Sequence, residues 1–298
     1  MFSPSDVAPA SQDHIERYAS YGAAAALLLM FVDYALTFRD ERRYIWPKAR
    51  VCRYAKVYIA TRYLGLAAQI LNVSFAIWRA SQTYIAPSLC RSFFAYQAII
   101  VQALVAVVDG LLMRGVYAMF SGSYWILSLF AVLAAAQPGS MLASAVIALP
   151  EAPFTQTCLP TEVHSGLIYF GSVTLTTHAS ILLLIMWKYF ARRQARTPLR
   201  TAILRDTTLA VAAISAIMII TLLYALGVIR VGVMANIICY WFFCALWVSA
   251  GRIIVGWEAA RGSEAGASMG VATSHITIPD DASVYALSAL DGEVQKRA

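Results

Sequence analysis

Hydrophobic positions in this chain fall into seven long runs separated by short polar segments. The runs cover residues 18–38, 54–78, 92–119, 124–149, 165–190, 207–229 and 232–255. About 20 apolar residues in a helix cross the roughly 30 Å hydrocarbon core of a bilayer. Inside lipid, a helix satisfies its own backbone polar groups, which an open segment cannot do. The pattern therefore predicts an all-α polytopic membrane bundle of seven transmembrane helices. The second run is the least apolar. The Pro138-Gly139 pair in the fourth is expected to kink that helix or split off a short final piece. Residues 1–17 and 257–298 are polar and read as disordered tails. No internal repeat is visible, so an inverted-repeat transporter finds no support.

Basic residues set the expected orientation. Arg39, Arg42, Arg43, Lys48, Arg50 and Arg53 crowd the first connection. Lys188, Arg192, Arg193, Arg196, Arg200 and Arg205 crowd the fifth. The second and sixth hold only Arg79, Arg91 and Arg230, and the fourth holds none. Odd connections are thus expected in the cytosol. That puts the amino terminus outside and the carboxyl-terminal tail in the cytosol.

Composition narrows the function classes. Of 298 residues, 60% are hydrophobic and only 13% are charged, which leaves no room for a second globular domain. The net charge of +7 sits beside span ends, where anionic cytoplasmic lipid accounts for it better than nucleic acid does. The lipid bilayer is the expected partner; a small-molecule ligand and a cytosolic partner are left unassigned. The first segment lacks a basic leader, so span one is expected to serve as the insertion signal. Membrane placement is predicted as multi-pass, without a choice between plasma membrane and endomembranes.

Ionisable residues inside a span are costly and are functional candidates by default. Asp33, Arg62 and Asp109 lie at similar depth in the inner half of spans one, two and three. An Asp33–Arg62 pair with Asp109 as a second acceptor would satisfy the guanidinium fork. Such a cluster either locks three spans together or acts as a switch that breaks when the cytoplasmic face opens. Gln69, Asn72, Gln97, Tyr169 and Asn236 lie on the outer side of the midplane. They either hydrogen-bond between helices or line an outer pocket. Cys90, just before span three, and Cys158, in the outer connection between spans four and five, face the oxidising side, where a disulfide can persist. They are read as either a bridge or two separate thiols.

One stretch carries family information. Val32-Asp33-Tyr34-Ala35-Leu36-Thr37-Phe38 is followed by Glu41, then Tyr44-Ile45-Trp46, then Arg62-Tyr63-Leu64. This resembles the D-Y-x-L-T, E, I-W, R-Y signature of a large membrane family in mushroom-forming fungi, defined by an N-terminal domain of unknown function. Arg114-Gly115-Val116-Tyr117-Ala118-Met119-Phe120 and Trp125-Ile126-Leu127 are similar to a later stretch of that family, with Gly115 intruding after the Arg. The resemblance implies seven spans and a fungal source, and implies no activity.

Catalytic chemistry finds little to work with. A membrane zinc hydrolase needs several His and acidic ligands at one depth. Only His178 lies well inside a span; His164 is at a helix end, and His14 and His275 are in the tails. His178 is expected to be a hydrogen-bonded packing residue. Five dispersed cysteines form no metal cluster, and span seven lacks the Lys a retinal Schiff base requires. No enzyme activity, metal or cofactor is expected. The preferred reading is a receptor-like protein. The alternatives are a small-molecule transporter or channel, and a non-catalytic membrane scaffold.

Overall fold

The computed structural model describes residues 9–50, 52–82, 84–120, 122–148, 154, 158, 165–191, 198–228 and 234–271. Among these, seven α-helices account for nearly everything: α1 (Pro9–Tyr44), α2 (Arg53–Ala80), α3 (Pro87–Met119), α4 (Tyr124–Ala148), α5 (Ser165–Ala191), α6 (Pro198–Ala225) and α7 (Met234–Val271). A single 3-10 turn, Trp46–Lys48, lies between α1 and α2.

The helices outrun the apolar stretches because helix formation does not stop where hydrocarbon would. α1 begins at Pro9, inside the segment read as a disordered terminus, and α7 continues to Val271. Proline at a first helical position has its φ already set and loses no bonded N–H, which suits α1, α3 and α6 alike. The expected split of α4 does not occur. Pro138 lies inside one continuous helix.

Six of the helices are long and apolar enough to cross a membrane; α2 is not among them. Its length is sufficient, at 28 residues or about 42 Å. Its composition is not, because Arg62, Gln69, Asn72 and Arg79 interrupt the apolar run and all four are buried. They are buried against protein, so the helix depends on its neighbours.

Two units divide the chain, Met1–Glu258 and Ala259–Ala298. In the first, α1 packs on α2, α2 on α3, α3 on α4 and α5, α4 on α5, and α5 on α6. Its core runs from Ala23, Ala26 and Met30 of α1 to Tyr240, Phe243, Leu246 and Trp247 of α7. The outside is apolar as well. Leu28, Leu36, Ile99, Trp125, Val132, Leu142, Ile147, Leu183 and Leu209 are all exposed. In the apolar window of α4 only 17% is buried. A soluble monomer rarely shows an apolar surface so continuous. The chain is a helical membrane-type bundle whose solvent is hydrocarbon.

Candidate functional site

Residues four apart share a helix face, and three such ladders converge on Arg62. From α1 come Asp33, Thr37 and Glu41. From α2 come Tyr58 and Arg62 itself. From α7 come Trp247 and Gly251. Arg62 is 2% exposed, Asp33 3% and Glu41 1%, so these charges meet out of reach of water.

The guanidinium is held on every side. Its Nη1 donates to Asp33 Oδ2 at 3.1 Å, and its Nη2 donates to the Thr37 hydroxyl. Its Nε lies 2.7 Å from Glu41 Oε1, an ion-pair contact without hydrogen-bond alignment. Thr37 in turn donates to the Asp33 carbonyl at 2.7 Å. The Tyr58 hydroxyl donates to Glu41 Oε1. One face of the guanidinium stacks on the Trp247 ring, 3.8 Å from its centroid. The same indole donates Nε1–H to the Arg62 carbonyl at 2.8 Å.

Two glycines make this approach possible. A Cβ on Gly65 would run into the Trp247 indole, and one on Gly251 would sit 2.7 Å from Arg62 Nη1. Arg252 closes the cluster. Its Nε and Nη2 lie 3.1 and 3.0 Å from Asp33 Oδ1, while its side chain stays 62% exposed. Two carboxylates face two guanidinium groups, so the cluster is neutral as a set. It ties α1, α2 and α7 together with one charge at its rim.

A family model matches part of this arrangement. Residues 21–67 match a family of unknown function, DUF6533. No curated protein and no solved structure matches the chain. The matched segment holds Asp33, Thr37, Glu41, Tyr58 and Arg62, and Trp247, Gly251 and Arg252 lie outside it. The matched hairpin of α1 and α2 therefore supplies both acids and the central base, and α7 completes the set.

Asp109 is the correction. It does not reach Arg62; Glu41 takes the place expected for it. Asp109 Oδ1 instead lies 3.1 Å from His178 Nε2, and His178 Nδ1 lies 3.3 Å from Ser215 Oγ. The reason is angular: similar depth does not place two residues on facing sides of a bundle, and α3 turns this residue toward α5 and α6. Glu41 was visible in the sequence as the third member of an i, i+4, i+8 stripe with Asp33 and Thr37. Arg252 was visible as a charge near the end of an apolar run. His178 is a hydrogen-bonded buried residue, with the partners now named.

Three of the five outer polar residues join in a ladder. Gln97 donates to Asn72 at 3.4 Å, Asn72 to Gln69 at 3.2 Å, and Gln69 to the Ala23 carbonyl at 3.4 Å. All three side chains are buried. Tyr169 points away, 66% exposed, so it does not share their space. The Asn236 side chain lies outside the described residues. The ladder links α1, α2 and α3.

Cys90 and Cys158 are bridged, with Cα atoms 5.3 Å apart, inside the range a disulfide requires. Ile85, Phe75 and Phe154 pack around them. Cys158 holds a left-handed backbone with φ of 62°. The bridge lies at the end of the bundle where α2 connects to α3, and the Arg62 cluster lies toward the other. Among the described residues no group of three or more metal-ligating side chains comes together.

Proposed function

We propose that this is a receptor-like, non-catalytic membrane protein of fungal origin with seven spans, its amino terminus outside and its carboxyl terminus in the cytosol. α2 counts as the seventh span because Arg62, Gln69 and Asn72 find hydrogen-bond partners inside the bundle. The observation that carries the reading is the neutral, buried cluster on α1, α2 and α7. It lies toward the end bearing Arg39, Arg42, Arg43 and Lys48, the end expected in the cytosol. The opposite end is tethered by a disulfide, which fits an oxidising exterior.

In this reading the cluster is a latch. Three helices are held closed while Arg62 faces Asp33 and Glu41. A ligand that favours the parted arrangement of α7 shifts the equilibrium by its differential affinity for the two states. Arg252 is the rim contact, since its exposed guanidinium can leave Asp33 for water or lipid phosphate at small cost. A transporter or channel is the second class and a scaffold the third. The continuous α4 removes the broken helix that would favour transport.

Two measurements test this. Tags at the two termini should be accessible from opposite sides of sealed vesicles. Probes on α2 and α7 should then report a change in separation when Asp33→Asn and Arg252→Gln weaken the latch in the folded protein. Same-side termini sink the topology. An unchanged separation in both variants, each still folded, sinks the latch.

A further inference from the structure

Among the described residues, the half of the bundle built from α3, α4, α5 and α6 brings a buried carboxyl group and a buried imidazole together, a contact that the latch does not use. We propose that Asp109 and His178, with Ser215, form a proton-binding site at the junction of α3, α5 and α6. This inference does not rest on the receptor reading or on the orientation of the chain.

The site is enclosed. Asp109 is 2% exposed and His178 1%. On α3 the nearest charged residues are Arg91 and Arg114, with Tyr96 and Tyr117 its other titratable groups. On α5 the other titratable groups are Tyr169, which is exposed, Lys188, which sits over the Phe120 ring at the helix end, and Tyr189, whose side chain lies outside the described residues. α4 carries no charged residue and one tyrosine, Tyr124; the charged residues of α6, Arg200, Arg205 and Asp206, have side chains outside the described residues, and Tyr224 lies nine positions past Ser215. α2, which also packs on α3, carries the buried Arg62 and Arg79. Gln137 of α4 meets α5 through Thr174, an uncharged contact. Among the described hydrogen bonds and ion pairs Asp109 meets His178, so the charge that faces its carboxylate is the one His178 would carry with a second proton. A lone carboxylate in a low dielectric is costly, and a carboxylate paired with an imidazolium is much less so.

The hydrogen-bond geometry accepts both states without moving a heavy atom. His178 Nε2 faces Asp109 Oδ1, and Nδ1 faces the Ser215 hydroxyl. When Nδ1 is bare, Ser215 donates to it. When Nδ1 bears a proton, it donates to the Ser215 oxygen. A hydroxyl can reverse its role in this way; a carbonyl or an amide N–H cannot. Asp109 Oδ2 is buried with no partner among the described residues, which gives the proton a second place to rest as a neutral carboxyl group. That oxygen is fully enclosed. The one cation that needs no room there is a proton.

Histidine is also the side chain that exchanges a proton near neutrality, and buried acid–imidazole pairs are the usual parts of proton relays inside membranes. Here the pair bridges two helices and Ser215 adds a third. Occupancy thus changes the strength with which α3 is held to α5.

Histidine-selective nitrogen-15 spectroscopy tests this in lipid nanodiscs. His14, His164 and His275 are replaced by Gln, leaving His178 as the sole reporter in a chain of four histidines. His178 should convert between its neutral and doubly protonated forms as pH is varied, while the protein remains folded. Asp109→Asn removes the carboxylate that faces Nε2 and should change the titration of His178. A reporter that keeps one state throughout the pH range of the folded protein overturns the proposal. So does an Asp109→Asn variant that titrates as the parent does. If that variant does not fold, the parent titration is decided by the carboxyl infrared band of Asp109, which must change together with His178; independent behaviour of the two groups overturns the site.

Discussion

Replacing Arg62 with Met removes the central charge of the latch while keeping most of the side-chain volume. The consequence can be worked through the partners. Asp33 retains Arg252, whose two nitrogens lie 3.0 and 3.1 Å away. Glu41 loses its cation and retains only the Tyr58 and Thr37 hydroxyls. One buried carboxylate is thus stranded, and stranding a buried charge costs about 3–5 kcal/mol. Arg252→Gln leaves the cluster one charge short as well. Its side chain, however, is 62% exposed and the loss falls at the rim, so it should cost about 0–1 kcal/mol. The stronger test is a second change made in the Arg62→Met background. Adding Glu41→Gln neutralises the stranded group and should recover about half of the loss. Adding Asp33→Asn should recover nothing, because Asp33 is still paired. Reversible unfolding in bicelles, scored as free-energy differences between these four variants and the parent, measures the pattern. Equal recovery from the two second-site changes would refute the assignment of Glu41 as the dependent partner. Equal losses for Arg62→Met and Arg252→Gln would refute the burial argument.

Glycine substitutions should separate the crowded seam of α2 and α7 from the open faces. Gly65→Ala and Gly251→Ala should each cost about 1–3 kcal/mol through overpacking, since the added carbon meets Trp247 or Arg62. Gly110→Ala and Gly139→Ala meet nothing within 4 Å and should instead gain up to about 0.5–1 kcal/mol from better helix propensity. Thermal unfolding in one lipid composition reads all four, and a destabilised Gly139→Ala would count against the lipid-facing placement. In the polar ladder, Asn72→Leu breaks two links and Gln97→Leu one. Expected losses are about 1 kcal/mol and about 0.6 kcal/mol; an Asn72→Leu variant as stable as the parent would show that the ladder contributes nothing.

Much of the site was legible because helix periodicity is short-range. Asp33, Thr37 and Glu41 recur every four residues, as do Tyr58 and Arg62, so their sharing of a face follows from the chain itself. The pairing of Asp33 with Arg62 also follows, from two adjacent antiparallel helices with charges at matched depth. Asp109 was misplaced by the same reasoning. Depth along a helix is set by residue count, but the direction in which a side chain points depends on how that helix is rotated against its neighbours. Tyr169 shows the same gap: its depth suited the outer polar set, and its face turned it outward.

The linear order of residues by itself determined the solvent of this protein, the helical class and the approximate place of each helix. Apolar run length and the backbone's need for internal hydrogen bonds leave few other solutions in hydrocarbon. Only the tertiary structure decided which polar groups meet. It brought Trp247, Gly251 and Arg252 onto a hairpin almost two hundred positions earlier, joined Cys90 to Cys158, and gave Asp109 to His178 and Ser215. Those meetings depend on helix rotation and close approach at glycines, which are properties of packed surfaces and not of any local stretch of chain.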